Sequence, residues 1–256
     1  MQEEPLRLVV LGDSLAYFDD NGPQLPSHPD LYPNIVARYV EREIGRPVSV
    51  NTIAEPGSTV RSTWRSVTKD PHVQFEVLMG ADAVIVGVGS FDHAPVGVPP
   101  SIEALVPFVR PASLRRRVRK TLRTIHPFVI KWTRGRWTRT PEAEFARMFD
   151  AVLFHVRSLT QGAAGVALGP ASHRSEYYAH IHPHREARER LQVAIAGKHR
   201  FPIVASWPLV EPFVDQLNRD GMHWGAKAHR VVGEALAHEL VKQLRGEAPK
   251  PAAPVL

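Results

Sequence analysis

The fold is decided by residues 6–14, LRLVVLGDS. The largely apolar run Leu6–Leu11 is closed by a glycine, which is typical of a strand buried in a parallel sheet. Asp13 and Ser14 follow at once, where such a strand would leave the sheet. Parallel sheets bind ligands at the carboxyl ends of their strands, so we expect this pair to lie at a functional edge.

Strand-like and helix-like patterns alternate along the rest of the chain. Further strands are expected at Val48–Ala54, Ala83–Val88, Val166–Leu168 and Ile203–Ala205, and helices at Tyr32–Ile44, His72–Met79, Glu142–Leu159, His184–Ala196 and Ala226–Leu244. Such alternation predicts an α/β fold, with a five-stranded parallel sheet covered by helices on both faces.

Residues 94–140 interrupt this alternation with six prolines and a basic cluster. We interpret them as a partly helical, lid-like insertion, because a connection of this length is more often functional or mobile than plain. The insertion belongs to a single predicted domain, residues 1–247. Residues 248–256 are rich in proline and alanine and are predicted to be a disordered tail.

The net charge of +6 comes from one segment: residues 110–139 hold eleven Lys or Arg and no Asp or Glu. This asymmetry indicates a local anionic partner. Trp132 and Trp137 would suit nucleic acid, but no recognised nucleic-acid fold accompanies them, so we predict none. Near-helical spacing of apolar residues beside the arginines leaves open an anionic membrane surface, a lid helix packed on an acyl chain, or a solvated face without partner.

Cysteine is absent, which excludes disulfides, cysteine nucleophiles and thiolate metal sites. The alternating His180, His182 and His184 make a metal conceivable, but Pro183 favours a helix start, and we predict no metal. We recognise neither a signal peptide nor an apolar run of about 18 residues, and therefore expect a cytoplasmic protein.

Two motifs at opposite ends of the chain carry the chemistry. In Gly12-Asp13-Ser14-Leu15 the serine is a candidate nucleophile, although Asp and Ser are also common helix caps. In Asp220-Gly221-Met222-His223 the carboxylate can reach back to its own histidine, whose other nitrogen would then deprotonate a serine. Each motif alone is weak, and their pairing favours a Ser-His-Asp triad.

A third motif, Glu55-Pro56-Gly57-Ser58, follows the second strand. Its glycine would let a backbone N–H approach an oxyanion closely, although the motif taken alone favours a simple strand-to-helix turn.

In order and spacing, these three motifs resemble the SGNH, or GDSL-type, hydrolase superfamily. The resemblance runs from Gly12 to His223 and implies a flavodoxin-like three-layer sandwich. It implies Ser14 as nucleophile, His223 as general base and Asp220 as its orienting partner. It also implies an oxyanion hole made by the N–H groups of Ser14 and Gly57.

The chain departs from that family after the third strand. The family's Gly-x-Asn-Asp block corresponds to Gly89-Ser90-Phe91-Asp92, so Phe91 replaces an asparagine that completes the oxyanion hole. Phenylalanine has no hydrogen-bond donor. We therefore expect Ser90, Asp92 or His93 to line the site differently, or a hole with two backbone donors, and count them with Asp13 as substrate-binding candidates.

The same motifs, with the arginine-rich insertion, also look like acyltransferases that move an octanoyl group from acyl-coenzyme A to a glucosylglycerate hydroxyl. This resemblance implies an acyl-CoA co-substrate, an anionic sugar acceptor and no further cofactor. Arg115, Arg116 and Arg117 are the predicted contacts for these anions. The alternative is a GDSL-type esterase or lipase, or a carbohydrate esterase, that hydrolyses a short or medium acyl ester with water as the acceptor.

Overall fold

The computed structural model describes residues 4–103 and 105–246. Its sheet has five parallel strands, which pair in the order β2-β1-β3-β4-β5. The strands are β1 Leu6–Gly12, β2 Val48–Ala54, β3 Ala83–Val86, β4 Ala164–Leu168 and β5 Ile203–Val204. The strand order is flavodoxin-like, and the predicted α/β fold is confirmed.

In the described residues, six longer α-helices and several short ones lie between these strands or after the last of them. The longer helices are α1 Tyr32–Ile44, α2 Val60–Lys69, α3 Ala112–Thr133, α4 Glu142–Leu159, α5 Arg185–Lys198 and α6 Ala226–Leu244. A π-helical segment spans His72–Leu78, short α-helices Pro100–Glu103 and Ser206–Val210, and 3-10 turns Ser14–Ala16, Val106–Phe108, Glu176–Tyr178 and Glu211–Gln216. A small hairpin pairs Phe18–Asp19 with Gly22–Pro23.

Helix α2 was not predicted, because most of its side chains are polar. Val60, Thr63 and Val67 are its buried residues, at a spacing of three and four that places them on one face. A capping box between Thr59 and Ser62 starts the helix.

Alternate residues of β1 point into two separate cores. Leu8 and Val10 belong to the core under α1 and α6, whereas Val9 and Leu11 belong to the core under α2 and α4. Because β-strand side chains alternate between faces, a continuous apolar strand is buried on both sides. Helices therefore cover both faces of the sheet.

The register of the central strands brings three connections to one edge. Gly12 pairs with Ala54, and Leu11 pairs with Val86, so β1, β2 and β3 end side by side. The segments that follow these three strands carry Asp13-Ser14, Glu55–Ser58 and Gly89–Asp92, and the sheet thus sets these stretches next to one another.

Residues 94–140 contain α3 and begin and end close together. Pro95 and Thr138 form an isolated antiparallel bridge, and the Val96 N–H donates to the Trp137 carbonyl at 2.9 Å. The partly helical character is as predicted, while action as a lid stays a prediction. The predicted tail, 248–256, lies outside the described residues. Among the residues that are described, no helix is both long and apolar enough to cross a membrane.

Candidate active site

Ser14 lies in a single 3-10 turn that directly follows β1. The first longer helix, α1, begins only at Tyr32. Asp13 caps the turn, since its Oδ1 accepts the Leu15 N–H at 2.9 Å. Burial raises the pKa of Asp13 to about 6. Asp13 therefore caps the turn, and it also lines an apolar pocket beside Ser14, which is called the catalytic pocket below.

His223 connects Ser14 to Asp220. The distance from its Nε2 to Ser14 Oγ is 2.9 Å, and from its Nδ1 to Asp220 Oδ2 2.6 Å. The other carboxylate oxygen, Oδ1, accepts the N–H groups of Met222 at 2.7 Å and His223 at 3.2 Å. The ring of Phe18 stacks on the imidazole at 4.3 Å between centroids. The His223 imidazole is thus held at its Nδ1 edge by Asp220 and on one face by Phe18.

The environment of Asp220 keeps its carboxyl ionised. Burial acts to raise the pKa of Asp220, but hydrogen bonds from the His223 ring and from the Met222 and His223 N–H groups outweigh it and lower the pKa overall. An ionised carboxylate on Nδ1 favours the tautomer that carries its proton there. Nε2 is then the acceptor for the Ser14 hydroxyl, which is the arrangement of a Ser-His-Asp triad.

Gly57 is the third residue of a turn at the end of β2. Its φ is +65°, and the Ser58 N–H donates to the Glu55 carbonyl at 3.1 Å, as in a type II turn with proline in second place. A Cβ at Gly57 would lie 3.2 Å from the Phe91 ring. Within residues 4–103 and 105–246, the N–H groups of Ser14 and Gly57 have no acceptor. Both residues line the same pocket.

Phe91 fills the position at which the resemblance predicted an asparagine. Its ring lies against Gly57 and under the Arg139 guanidinium, 4.3 Å from the ring centroid. The neighbouring Ser90 lines the pocket, and its Oγ accepts the Ala171 N–H at 3.0 Å. This bond leaves the Ser90 hydroxyl proton without an acceptor in the described chain. The Ser90 hydroxyl is therefore a candidate hydrogen-bond donor beside Phe91 in this pocket.

Asp92 and His93 are substrate-binding candidates from the sequence, but the structure places both side chains away from the two cavities. Both are completely buried and line neither cavity described below. Asp92 accepts the Val60 N–H at 2.8 Å and the Thr140 hydroxyl at 2.5 Å. His93 Nδ1 lies 3.0 Å from the Gly89 carbonyl, and burial lowers the pKa of His93 to about 4. Asp92 instead fixes the start of α2, three residues after Gly57.

Replacing Asp92 should therefore reduce stability. In Asp92→Ala, the buried Val60 N–H and Thr140 hydroxyl lose their acceptor, and we expect the free energy of unfolding to fall by about 2 kcal/mol in urea titrations. The control is Asp20→Ala, which removes an exposed carboxylate bonded to its neighbour Asn21. Equal stability of the two variants would contradict this role.

The catalytic pocket has a volume of about 350 Å³ and a mostly apolar lining. Asp13, Ser14, Gly57, Ser90 and His223 provide its reactive edge. The remaining lining residues are Leu15, Phe18, Pro56, Phe91, Ala94, Ala171, Ser172, His173, Tyr178 and Met222. Such a lining suits an aliphatic chain more than a free sugar.

A larger cleft of about 1050 Å³ adjoins this pocket and shares Tyr178 and Met222 with it. Its lining includes Asp220, so the cleft leads to the triad. Four arginines line it: Arg119, Arg123, Arg174 and Arg219. None of the four is ion-paired within the described parts of the chain, although Glu103, Glu176 and Asp215 also line the cleft.

The predicted arginines Arg115, Arg116 and Arg117 do not line the cleft. Arg115 donates to the Pro107 carbonyl at 3.2 Å, and the other two are exposed. The arginines that do line it from α3 lie further along the helix and were missed. Helical spacing could have found them, because Arg119 and Arg123 are one turn apart and share a face with the buried His126 and Ile130.

Two known proteins resemble this chain over most of its length. The chain is 30% identical over 240 residues to a diglucosylglycerate octanoyltransferase of Mycolicibacterium hassiacum, covering 92% of this chain and 95% of the relative. It is 29% identical over 240 residues to the enzyme of the same name from Mycobacterium tuberculosis, with 92% of each chain covered. No protein-family model matches.

Solved structures show the same fold. The lipase Lip_vut3 from a goat rumen metagenome superposes with a TM-score of 0.61 at 12% identity, over 91% of this chain and 97% of the lipase. At that identity the likeness concerns the fold alone. GDSL-type lipases and esterases are among the structural neighbours. The chain is therefore an acyl-handling enzyme with the SGNH fold, and it belongs to the family of the diglucosylglycerate octanoyltransferases.

Proposed function

We propose that this enzyme transfers a medium-chain acyl group, octanoyl, from acyl-coenzyme A to a hydroxyl of diglucosylglycerate through an acyl-enzyme on Ser14. The observation that carries the proposal is the hydrogen-bond chain from Ser14 through His223 to Asp220, set between an apolar pocket and an arginine-lined cleft. The names of the relatives supply the choice of acyl group and acceptor.

In the first half-reaction, Ser14 Oγ attacks the thioester carbonyl carbon while His223 Nε2 takes the hydroxyl proton. The carbon–sulfur bond then breaks, and the coenzyme leaves as a thiol after receiving that proton. In the second half-reaction, His223 removes the proton of the acceptor hydroxyl, whose oxygen attacks the Ser14 ester. The proton returns to Ser14 Oγ as the bond from Oγ to the acyl carbon breaks. No step requires a cofactor.

The tetrahedral oxyanion of both half-reactions needs hydrogen-bond donors. The N–H groups of Ser14 and Gly57 are two candidates, since neither has another acceptor in the described chain. The Ser90 hydroxyl is a third, because the Ala171 N–H already occupies one of its lone pairs and leaves its proton free to donate. In this assignment Ser90 replaces the donor that Phe91 lacks.

Ser90→Ala should accordingly slow the chemical step. Removal of one oxyanion donor lowers kcat by roughly 100-fold or more in a comparable enzyme, and we expect a loss of that order with little change in KM. Ser206→Ala is the matched control, because Ser206 is completely buried and lies outside both cavities. A kcat within about twofold of the unmodified enzyme would rule out Ser90 as a donor.

Transfer requires that water does not replace the sugar. The apolar lining of the catalytic pocket fits an octanoyl chain and keeps the ester in a region of little water. The adjoining cleft is about three times larger, which suits a bulky and charged second substrate.

Thiol release from octanoyl-coenzyme A distinguishes transfer from hydrolysis. Without acceptor, we expect a burst equal to the amount of enzyme and then little further release, since the acyl-enzyme waits for a sugar hydroxyl. With diglucosylglycerate, release should continue and yield the octanoyl ester, whereas Ser14→Ala should show neither phase.

The competing function is a GDSL-type esterase, which the structural neighbours favour because the same triad serves hydrolysis. Sustained thiol release at equal rates with and without the sugar would support it. Release by Ser14→Ala at the unmodified rate would overturn the acyl-enzyme itself.

The arginines of the cleft supply the charge that an acyl-CoA donor requires. Its phosphates would form charge-assisted hydrogen bonds with Arg119 and Arg123, which face the cleft from α3. The carboxylate of the acceptor would then use Arg174 or Arg219, which lie closer to Asp220 in the chain.

Truncating Arg119 and Arg123 should weaken binding of the donor's phosphates without affecting binding of its acyl thioester. In the variant carrying Arg119→Ala and Arg123→Ala, we expect KM for octanoyl-coenzyme A to rise about tenfold or more. The change should be absent with octanoyl-N-acetylcysteamine, a thioester without phosphates. The control carries Arg116→Ala and Arg117→Ala, on the same helix but outside the cleft. Equal effects of both pairs, or on both thioesters, would contradict the assignment.

A further inference from the structure

Helix α3 has two faces with different surroundings. One face packs on the protein, where His126 and Ile130 are buried. The His126 ring stacks on Tyr177 at 4.1 Å between centroids, and its Nδ1 lies 2.9 Å from the Tyr177 carbonyl. The orientation of the helix is therefore fixed by this face.

The opposite face presents large apolar side chains to solvent. Leu114, Ile125, Phe128 and Trp132 are exposed, and Phe128 and Trp132 retain 72% and 83% of their accessible surface. At 3.6 residues per turn, these four positions fall within about 60° of one another around the helix axis. We call this set the apolar stripe. Folded proteins seldom leave such a patch without a partner.

Positive charge borders the apolar stripe. Arg117, Lys120 and Lys131 are exposed and follow within about 80° of its edge. Residues 110–139 hold eleven basic residues and no acidic one. An apolar face with a tryptophan near its end and lysine and arginine beside it is typical of helices that lie in the plane of a membrane surface.

We propose that α3 docks its apolar stripe on the surface of an anionic phospholipid bilayer. The charges select an anionic partner, and the aromatic side chains would enter the boundary between head groups and acyl chains. Leu105 and Phe108, in the segment just before α3, are also exposed and would extend the contact. An acidic protein would satisfy the charges, but aromatic and aliphatic side chains in one stripe along a helix, bordered by lysine and arginine, are typical of a helix that lies on a membrane surface. The proposal does not depend on the reaction catalysed.

The test is sedimentation of the full chain with vesicles, either of phosphatidylglycerol and phosphatidylcholine mixed or of phosphatidylcholine alone. We expect binding to the anionic vesicles only, weakened by salt. The variant carrying Phe128→Ser and Trp132→Ser should bind them at least about tenfold more weakly. The matched control carries Phe75→Ser and Phe154→Ser, which remove two exposed phenylalanines outside α3, and should bind like the unmodified chain.

Two further measurements keep the outcome interpretable. The Phe128 and Trp132 variant should retain the thermal unfolding midpoint and the thiol-release rate with soluble substrates, because both side chains are exposed and neither lines the catalytic pocket or the cleft. Equal binding to both kinds of vesicle, no binding at all, or full binding by this variant would overturn the proposal. So would sedimentation velocity that shows a dimer in the unmodified chain and a monomer in the variant, since a second copy would then cover the stripe.

Discussion

The hydrogen bond between Ser14 Oγ and His223 Nε2 joins residues 209 positions apart, and much of the fold serves to hold its two ends. His229 of α6 helps to hold the end that carries His223. Its Nε2 lies 2.8 Å from the carbonyl of Phe18, which stacks on His223, and its Nδ1 accepts the Tyr32 N–H at 3.2 Å. Burial lowers the pKa of His229 to about 4, so the ring is neutral and can bridge a donor and an acceptor. Phe18, which stacks on His223, is thereby connected through His229 to both α6 and α1.

The other side of the site has been rebuilt around an aromatic ring. Phe91 packs on Gly57 and under Arg139, at the position where the resemblance implied an asparagine, and Asp92 turns inward to hold α2. A ring at this position makes the pocket more apolar and removes a donor. Both consequences would suit the proposed acyl transfer, in which the acyl chain is held away from water and a neighbouring group such as Ser90 restores the lost hydrogen bond.

Periodicity alone predicted the sheet, because apolar strands buried on both faces leave a strong signal in the sequence. It missed α2, where three buried residues suffice to dock a polar helix. The sequence showed that the arginine cluster is strongly basic, but not which of its arginines line the cleft. Whether Arg117 or Arg119 reaches the cleft depends on which face of α3 packs on the protein. That face is set by tertiary contacts, such as the stacking of His126 on Tyr177. The burial of Asp92 and His93 depends equally on long-range partners, Thr140 among them.

In the proposed reaction, Ser14 carries the acyl group from the donor to the acceptor. The most direct measurement is mass spectrometry of the protein quenched after mixing with octanoyl-coenzyme A in the absence of sugar. We expect one octanoyl group on the peptide that contains Ser14, lost when diglucosylglycerate is added and never formed in Ser14→Ala. An unmodified Ser14 peptide in an enzyme that still forms the octanoyl ester at its normal rate would contradict it.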